Sequence, residues 1–277
     1  MRITPGPAYM LMASFLFSVM SALVKAGGER LPAQEMVFAR SVLVFLILVI
    51  MIKQRGLPLW GVDKKNLLLR GLFGFIGLSA FFYTLTKIPI TDSTMLQYTN
   101  PLFTALLAIF ILKERSSGQS WMNFLLAFGG ILLIIRPGFS LEAVPAMVGL
   151  GGAFFAGLAY NWVRKLRHTD DPLNVMLYFP AVSIVGSLPV AHTFILPQGN
   201  EWLLLLGVGV TAVAAQWLLT KALHHDEAGR VMNMAYIGVV FAAIWGVLFF
   251  NEVPDYRSVI GAGIVLVALI NVARSRV

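Results

Sequence analysis

The 277-residue sequence contains no cysteine. That excludes a disulfide framework, a thiolate metal site and a cysteine nucleophile. Charge is almost as scarce. Only 12% of residues are Asp, Glu, Lys or Arg, against about 25% in an ordinary soluble domain, too few to cover a water-facing surface. Strict apolar–polar alternation is missing, so strands of about 10 residues closing into an outer-membrane barrel are not expected. Carboxylates are missing from the middle of every long apolar run: Glu29, Glu35, Asp92, Glu114, Glu142, Glu201, Glu252 and Asp255 all stand in breaks or at run ends.

What is present is apolar sequence, 58% of the chain. Runs of roughly 20 residues recur from Pro7 to Ala273, the length a helix needs to cross about 30 Å of hydrocarbon. Backbone amides in lipid must be satisfied within the segment, which makes these runs helices. The pattern predicts spans at 7–26, 34–52, 67–87, 91–112, 118–136, 145–164, 172–192, 201–221, 229–250 and 257–273. Short breaks rich in Gly, Pro and charge separate them, as at Gly27-Gly28-Glu29-Arg30 and Arg136-Pro137-Gly138. The tightest is Ile88-Pro89-Ile90; without a turn there, one helix far too long for a bilayer would result. The first run is longer than the core of a signal peptide and lacks a clear cleavage site, so it reads as a retained helix.

The net charge of +8 would suggest nucleic acid in a soluble protein. Here it follows from topology. With the amino terminus inside, Lys25, Arg30, Arg40, Lys87, Arg136 and Arg257 fall outside, and the remaining fifteen of the 21 Lys and Arg residues fall inside. Such a bias places both termini in the cytoplasm, in a plasma membrane of bacterial inner-membrane type. No nucleic-acid partner is expected; the bilayer is the partner.

Sliding the chain against itself by 138 residues superposes Pro7 on Pro145, Phe17 on Phe155, Gly71 on Gly209, Tyr98 on Tyr236, Phe103 on Phe241 and Glu114 on Glu252. The chain therefore divides into an N-terminal repeat, 1–138, and a C-terminal repeat, 139–277, within one membrane domain. Each has five spans, an odd number, so the two lie in opposite orientations. Inverted repeats are a recurring transporter design, with the substrate near the midplane where the repeats meet.

Asn100-Pro-Leu-Phe-Thr-Ala-Leu-Leu-Ala-Ile-Phe-Ile-Leu-Lys-Glu114, with a mid-helix Pro and a terminal Glu, resembles the fourth helix of the drug/metabolite transporter superfamily, and within it the EamA-like families. Val239 to Glu252 is the second copy, with Val239 where Pro is common. Arg40 in Phe38-Ala-Arg-Ser-Val-Leu and the run Lys87-Ile-Pro-Ile-Thr-Asp-Ser-Thr fit the same resemblance; Tyr178 stands at the position equivalent to Arg40. The resemblance covers nearly the whole chain. It implies an all-α membrane protein of ten transmembrane helices, two inverted five-helix repeats around a central cavity, with the fifth and tenth helices peripheral and open to a homodimer contact. It implies alternating-access transport of a small-molecule substrate: export or exchange of amino acids and related metabolites, or, as in more distant relatives, movement of S-adenosylmethionine or nucleotide sugars. No enzymatic activity, cofactor or metal is expected.

Several polar residues inside the spans are candidates for the substrate site. Ser14, Ser18, Ser21 and Lys25 share one face of the first helix, suited either to close helix packing or to lining a cavity. Tyr83, Gln97, Tyr98, Asn100, Tyr160, Gln216, Asn233 and Tyr236 carry amides and hydroxyls that need partners in hydrocarbon. Interhelical hydrogen bonds would supply them; so would a small polar ligand. Tyr98 and Tyr236, related by the repeat, should approach each other. Pro101 removes a backbone bond and should kink its helix. Arg40 is the sharpest single charge, about 9 Å inside the second span. It either snorkels to the interface or pairs with loop carboxylates, or it binds a substrate carboxylate or phosphate. His224, His225, Asp226 and Glu227 read as a polar cap rather than a metal site. The absence of a buried carboxylate relay points to uncoupled transport or exchange.

Two other classes compete. A channel or lipid translocator would share the helices but not a closed midplane site. An intramembrane enzyme would need Ser79, in Gly77-Leu-Ser-Ala80, to find a histidine at its depth, and none clearly stands there.

Overall fold

The computed structural model describes residues 5–111, 143–166, 168–225, 237–253 and 255–274, with isolated helical positions between 122 and 133 and at 235. The described residues are helical, with no strand among them. In chain order the helices are α1 (Pro5–Gly27), α2 (Ala33–Gln54), α3 (Lys64–Lys87), α4 (Ile90–Gln97), α5 (Asn100–Ile111), α6 (Ala143–Leu166), α7 (Pro172–Ser187), α8 (Glu201–His225), α9 (Ile237–Phe250) and α10 (Tyr256–Arg274). Six segments among the described residues are long and apolar enough to cross a membrane: Ala8–Gly27, Ala33–Gln54, Lys64–Lys87, Ala143–Leu166, Pro172–Thr193 and Glu201–Leu219. Ile237–Phe250 and Tyr256–Val267 are shorter apolar helices. The expected fifth span, 118–136, lies outside the described residues apart from those isolated positions.

Breaks follow local chemistry. Ile88 is extended at φ −128°, ψ 167°, the conformation that a following proline imposes, and Pro89 then caps α4. The span expected as one helix over 91–112 is two. Tyr98 sits at φ −71°, ψ 1°, and the Thr99 amide closes a tighter turn on Leu96 O at 3.1 Å. Pro101 has no amide to donate, so the ladder is interrupted just before it. The span expected over 172–192 also changes character. Its last turn, Leu188–Thr193, is a 3-10 helix with Pro189 near its start. At the other helix starts Asp63 accepts from the Asn66 amide, and Asp171 accepts from the Leu173 amide, ordinary N-caps.

The helices pair across the bundle: α1 packs on α8, α3 on α6, α2 on α7, α3 on α7 and α2 on α8. α5 lies on α6, and α1 also meets α9. Small residues permit the closest approaches. A side chain at Gly152 of α6 would put its Cβ 2.6 Å from Ala80 Cβ of α3, and one at Gly77 would meet Gly152 O at 3.1 Å. Without a hydrophobic force between helices in lipid, such van der Waals contact is what binds them.

Apolar clusters pack at both ends of the bundle, the smaller ones around Ile52, Leu67, Leu166 and Leu173. Met20, Val24, Leu31, Met36, Val37, Phe82, Leu85, Ile90, Leu205 and Val208 form the largest buried cluster, near the end of α1 farthest from the amino terminus. The opposite end is tied by polar contacts between loops. Asp170, 9% exposed, accepts from the Val62 and Asp63 amides, and Asn174 donates to Pro58 O and Leu59 O at 2.7 and 3.1 Å.

Candidate functional site

Between these two ends lies a cavity of about 290 Å³, lined by α1, α2, α3, α6, α7, α8, the α4–α5 junction and α9. Its polar lining includes Ser14, Ser18 and Ser21 from α1, Gln97, Tyr98 and Asn100 from the junction, Tyr160 from α6 and Gln216 from α8. Thr94, Gln97 and Tyr98, at i, i+3 and i+4, share the inward face at the end of α4, and Asn100 joins them at the start of α5. Gly238 gives Tyr98 its room; a Cβ there would collide with the Tyr98 hydroxyl.

The α1 serines are already engaged. Ser18 Oγ donates to Phe15 O at 2.6 Å and accepts from Trp245 Nε1 at 3.0 Å, a tie between α1 and α9. Ser21 Oγ donates to Phe17 O at 3.1 Å. They line the wall while helping to pack it, so both uses of the stripe coexist.

Arg40 lines the same cavity and is only 7% exposed. Its guanidinium carbon lies 5.5 Å from the centre of the Phe179 ring. A second arginine, Arg70 of α3, approaches that ring too, at 4.9 Å. Gly74 makes this possible, since a Cβ at that position would run into Arg70 Nη1 and come within 2.9 Å of the Phe179 ring. Nε and Nη1 of both arginines are buried without a hydrogen-bond partner. No Asp or Glu lines the cavity among the described residues.

Of the residues expected at the site, Arg40, Gln97, Tyr98, Asn100, Tyr160 and Gln216 meet at the cavity. Tyr83 does not line it. The lining face of α3 runs through Arg70, Gly74, Gly77, Leu78 and Phe81, and two residues beyond Phe81 is a rotation of about 200°, to the far side of the helix. Asn233 and Tyr236 lie outside the described residues, as do Glu114 and the side chains of Pro101 and of the group His224 to Glu227. Arg70 and Phe179 were not expected. Arg70 read as a charge near a span end, and Phe179 as one apolar residue among many.

Beyond the cavity-lining Ser21, the far end of α1 is tied to the loop after α9 by an ion pair. Lys25, at the far end of the serine stripe, forms an ion pair with Glu252 at 2.6 Å, the side chains 13% and 19% exposed. Its ammonium also donates to Ile88 O at 2.9 Å, while Glu252 Oε2 accepts from the Ile90 amide at 2.9 Å. Asn251 adopts φ 53°, the left-handed residue that commonly ends a helix. It turns the chain so that the Glu252 amide donates back to Gly246 O at 2.9 Å and the carboxylate faces Lys25. At the same end Glu201 binds Arg30 in a bidentate pair, which holds the Arg30 guanidinium above its ordinary pKa, and Glu35 accepts from the Ile195 amide at 2.9 Å. Toward the other end, Tyr160 lines the cavity and is 48% exposed.

Comparison with known proteins adds to this geometry. The EamA-like transporter family profile matches the chain twice, over residues 4–136 and 144–274. The pseudopaline exporter CntI of Pseudomonas aeruginosa is 36% identical over 98% of this chain and 96% of its own length. Human solute carrier family 35 member G1 is 29% identical over 93% of this chain and 75% of its own. The S-adenosylmethionine uptake transporter of Rickettsia prowazekii is 29% identical over 95% and 90%. A crystal structure 18% identical in sequence superposes with a TM-score of 0.67 over 98% of each chain, a likeness of fold alone.

Proposed function

Because this chain belongs to the EamA-like transporter family of integral membrane proteins, whose members named above are transporters rather than enzymes, we propose that it is a secondary carrier moving a small polar metabolite by alternating access. The observation that carries the reading is the cavity at the middle of the bundle, with mostly apolar walls set with a few polar groups and two arginines; we infer that the Lys25–Glu252 pair seals one mouth. A carrier needs a site that faces one side at a time; a channel needs a continuous path, which the seal opposes.

The architecture we propose is ten membrane helices in two inverted five-helix repeats, 1–138 and 139–277. Two features support it. The family profile matches two consecutive stretches of similar length. The packing pairs also map onto one another when the halves are exchanged: α1 on α8 becomes α6 on α3, α2 on α8 becomes α7 on α3, and α1 on α9 becomes α6 on α5. Both termini are then cytoplasmic, in the inner membrane of a bacterium, and a homodimer contact would fall on the peripheral helices. Arg40, Gln97, Tyr98, Asn100, Tyr160 and Gln216 hold the cargo, with Asn233 and Tyr236 proposed beside them. The direction is outward, in keeping with the pseudopaline exporter at 36% identity, and the cargo is an amino acid derivative or related metabolite. A cargo like that of the Rickettsia protein is disfavoured here, because the sulfonium of S-adenosylmethionine would sit against two arginines.

Purified protein in liposomes tests this. Saturable uptake of a metabolite, accelerated by the same metabolite trapped inside, is the expected result. Current that does not saturate would mean a channel, and release of a product would mean an enzyme. Tyr98→Ala should lower uptake at least tenfold while leaving membrane insertion intact.

A further inference from the structure

Arg40 and Arg70 present an imbalance that the carrier reading alone does not resolve. A cation within the hydrocarbon layer ordinarily comes with a counter-anion or faces water. Here two guanidiniums share one cavity and one aromatic ring, four of their nitrogens have no hydrogen-bond partner, and no acidic side chain among the described residues lines the space. Phe179 provides attraction through its ring face, but a ring neutralises no charge and accepts no guanidinium fork. The two guanidinium carbons can be no farther apart than the sum of their distances to the ring centre. That is a span one small molecule can bridge.

We propose that the missing anion is the cargo: the cavity takes a small metabolite bearing two carboxylates, one for each guanidinium. This rests on the carrier reading and narrows its substrate class. A guanidinium offers parallel donors whose spacing matches a carboxylate, which an ammonium does not. Gln97, Asn100, Tyr160 and Gln216 supply amides and hydroxyls for the rest of the molecule. A cavity of about 290 Å³ lies at the small end of ligand pockets, which run from about 300 to 1,000 Å³, so the molecule is compact. A simple amino acid fits poorly, because it neutralises one arginine and adds an ammonium to a cavity that already carries two positive charges.

The test is binding to the purified protein, measured by tryptophan fluorescence or thermal shift. The probes are a dicarboxylate series (succinate, glutarate, adipate), a matched monocarboxylate (valerate), inorganic phosphate, and a bisphosphonate of similar length. At least one dicarboxylate should bind ten times more tightly than the monocarboxylate. Arg40→Gln and Arg70→Gln should each weaken that binding on the order of 30-fold or more, as loss of one partner of a buried charge pair does. Gly74→Ala, which displaces Arg70 without removing it, should weaken it too. Without ligand, Arg40→Gln should melt no lower than the parent protein, because it removes an unpaired buried charge. Equal binding of mono- and dicarboxylates, no binding by any dicarboxylate, or preference for the bisphosphonate over all of them would overturn the assignment. So would collapse of ligand-free Arg40→Gln, since the arginine would then be a structural element. The two readings fail separately. Dicarboxylate binding without counterflow in liposomes would sink the carrier and leave the seat, whereas counterflow of a cationic or neutral solute without dicarboxylate binding would do the reverse.

Discussion

Glu252→Gln should open the sealed mouth of the cavity. The carboxylate of Glu252 meets the Lys25 ammonium at 2.6 Å and takes the Ile90 amide at 2.9 Å. Glutamine retains an oxygen for the amide but gives up the charge facing Lys25. Exposed ion pairs are worth about 0–1 kcal/mol, and breaking a fully buried one costs about 3–5 kcal/mol. With 13% and 19% exposure, this pair falls between, at about 2 kcal/mol. If the contact exists only when that mouth is shut, its loss shifts the balance toward the open form by about 30-fold. The absence of native cysteine supplies a clean background for the assay. A thiol placed at Ser21, a cavity-lining position one turn below Lys25, reports access by a maleimide that does not cross membranes. Reagent added on the Lys25 side should label Ser21→Cys up to about 30 times faster when Glu252→Gln is present. Exchanging the two charges (Lys25→Glu with Glu252→Lys) should not restore the slow rate, because a carboxylate at position 25 would face the carbonyls of Leu85 and Ile88 that Lys25 now binds. An unchanged rate in Glu252→Gln, or equal acceleration from both sides, would refute the assignment of this contact as a one-sided seal.

Asp170→Ala removes the acceptor of the Val62 and Asp63 amides and of the Thr169 hydroxyl; it should cost roughly 1–3 kcal/mol and lower the melting temperature in detergent. Gly152→Val drives a branched side chain into Ala80; a loss of about 1–3 kcal/mol from overpacking should appear as a lower melting temperature and aggregation on size exclusion. Uptake into voltage-clamped liposomes should persist when a protonophore collapses the proton gradient, since no carboxylate lines the cavity among the described residues; abolition of uptake would contradict uncoupled transport or exchange.

Much of the helical architecture was legible because lipid leaves few options. Long apolar runs with charged breaks have to be helices, and Pro89 had to interrupt the third from the fourth. The break at Tyr98 was half legible: Pro101 announced a kink, but not that two separate helices would result. The 3-10 turn at Leu188–Thr193 left no mark on hydropathy. Among the cavity-lining residues, Arg40 stood out because a lone charge in an apolar run is expensive. Arg70 escaped notice because it lies only six residues into α3, where a basic residue has an easier explanation. Its place at the cavity depends on sharing Phe179 with a residue thirty positions earlier, and no pattern along the chain records that. Tyr83 is the converse case, a candidate that does not line the cavity. A hydroxyl in a span signals that some partner is needed, not that it faces the cavity.

The interruption at Tyr98 and Thr99 also has a mechanical consequence. A continuous rod passes a tilt at one tip straight to the other. Two short rods on a swivel do not. α4 contacts both α9 and α6 and is bound through Ile90 to the carboxylate of Glu252, while α5 rests on α6. In the proposed carrier, release of the Glu252 bond would loosen only the α9 side of α4 and leave α5 on α6, a division of labour that one unbroken helix could not make.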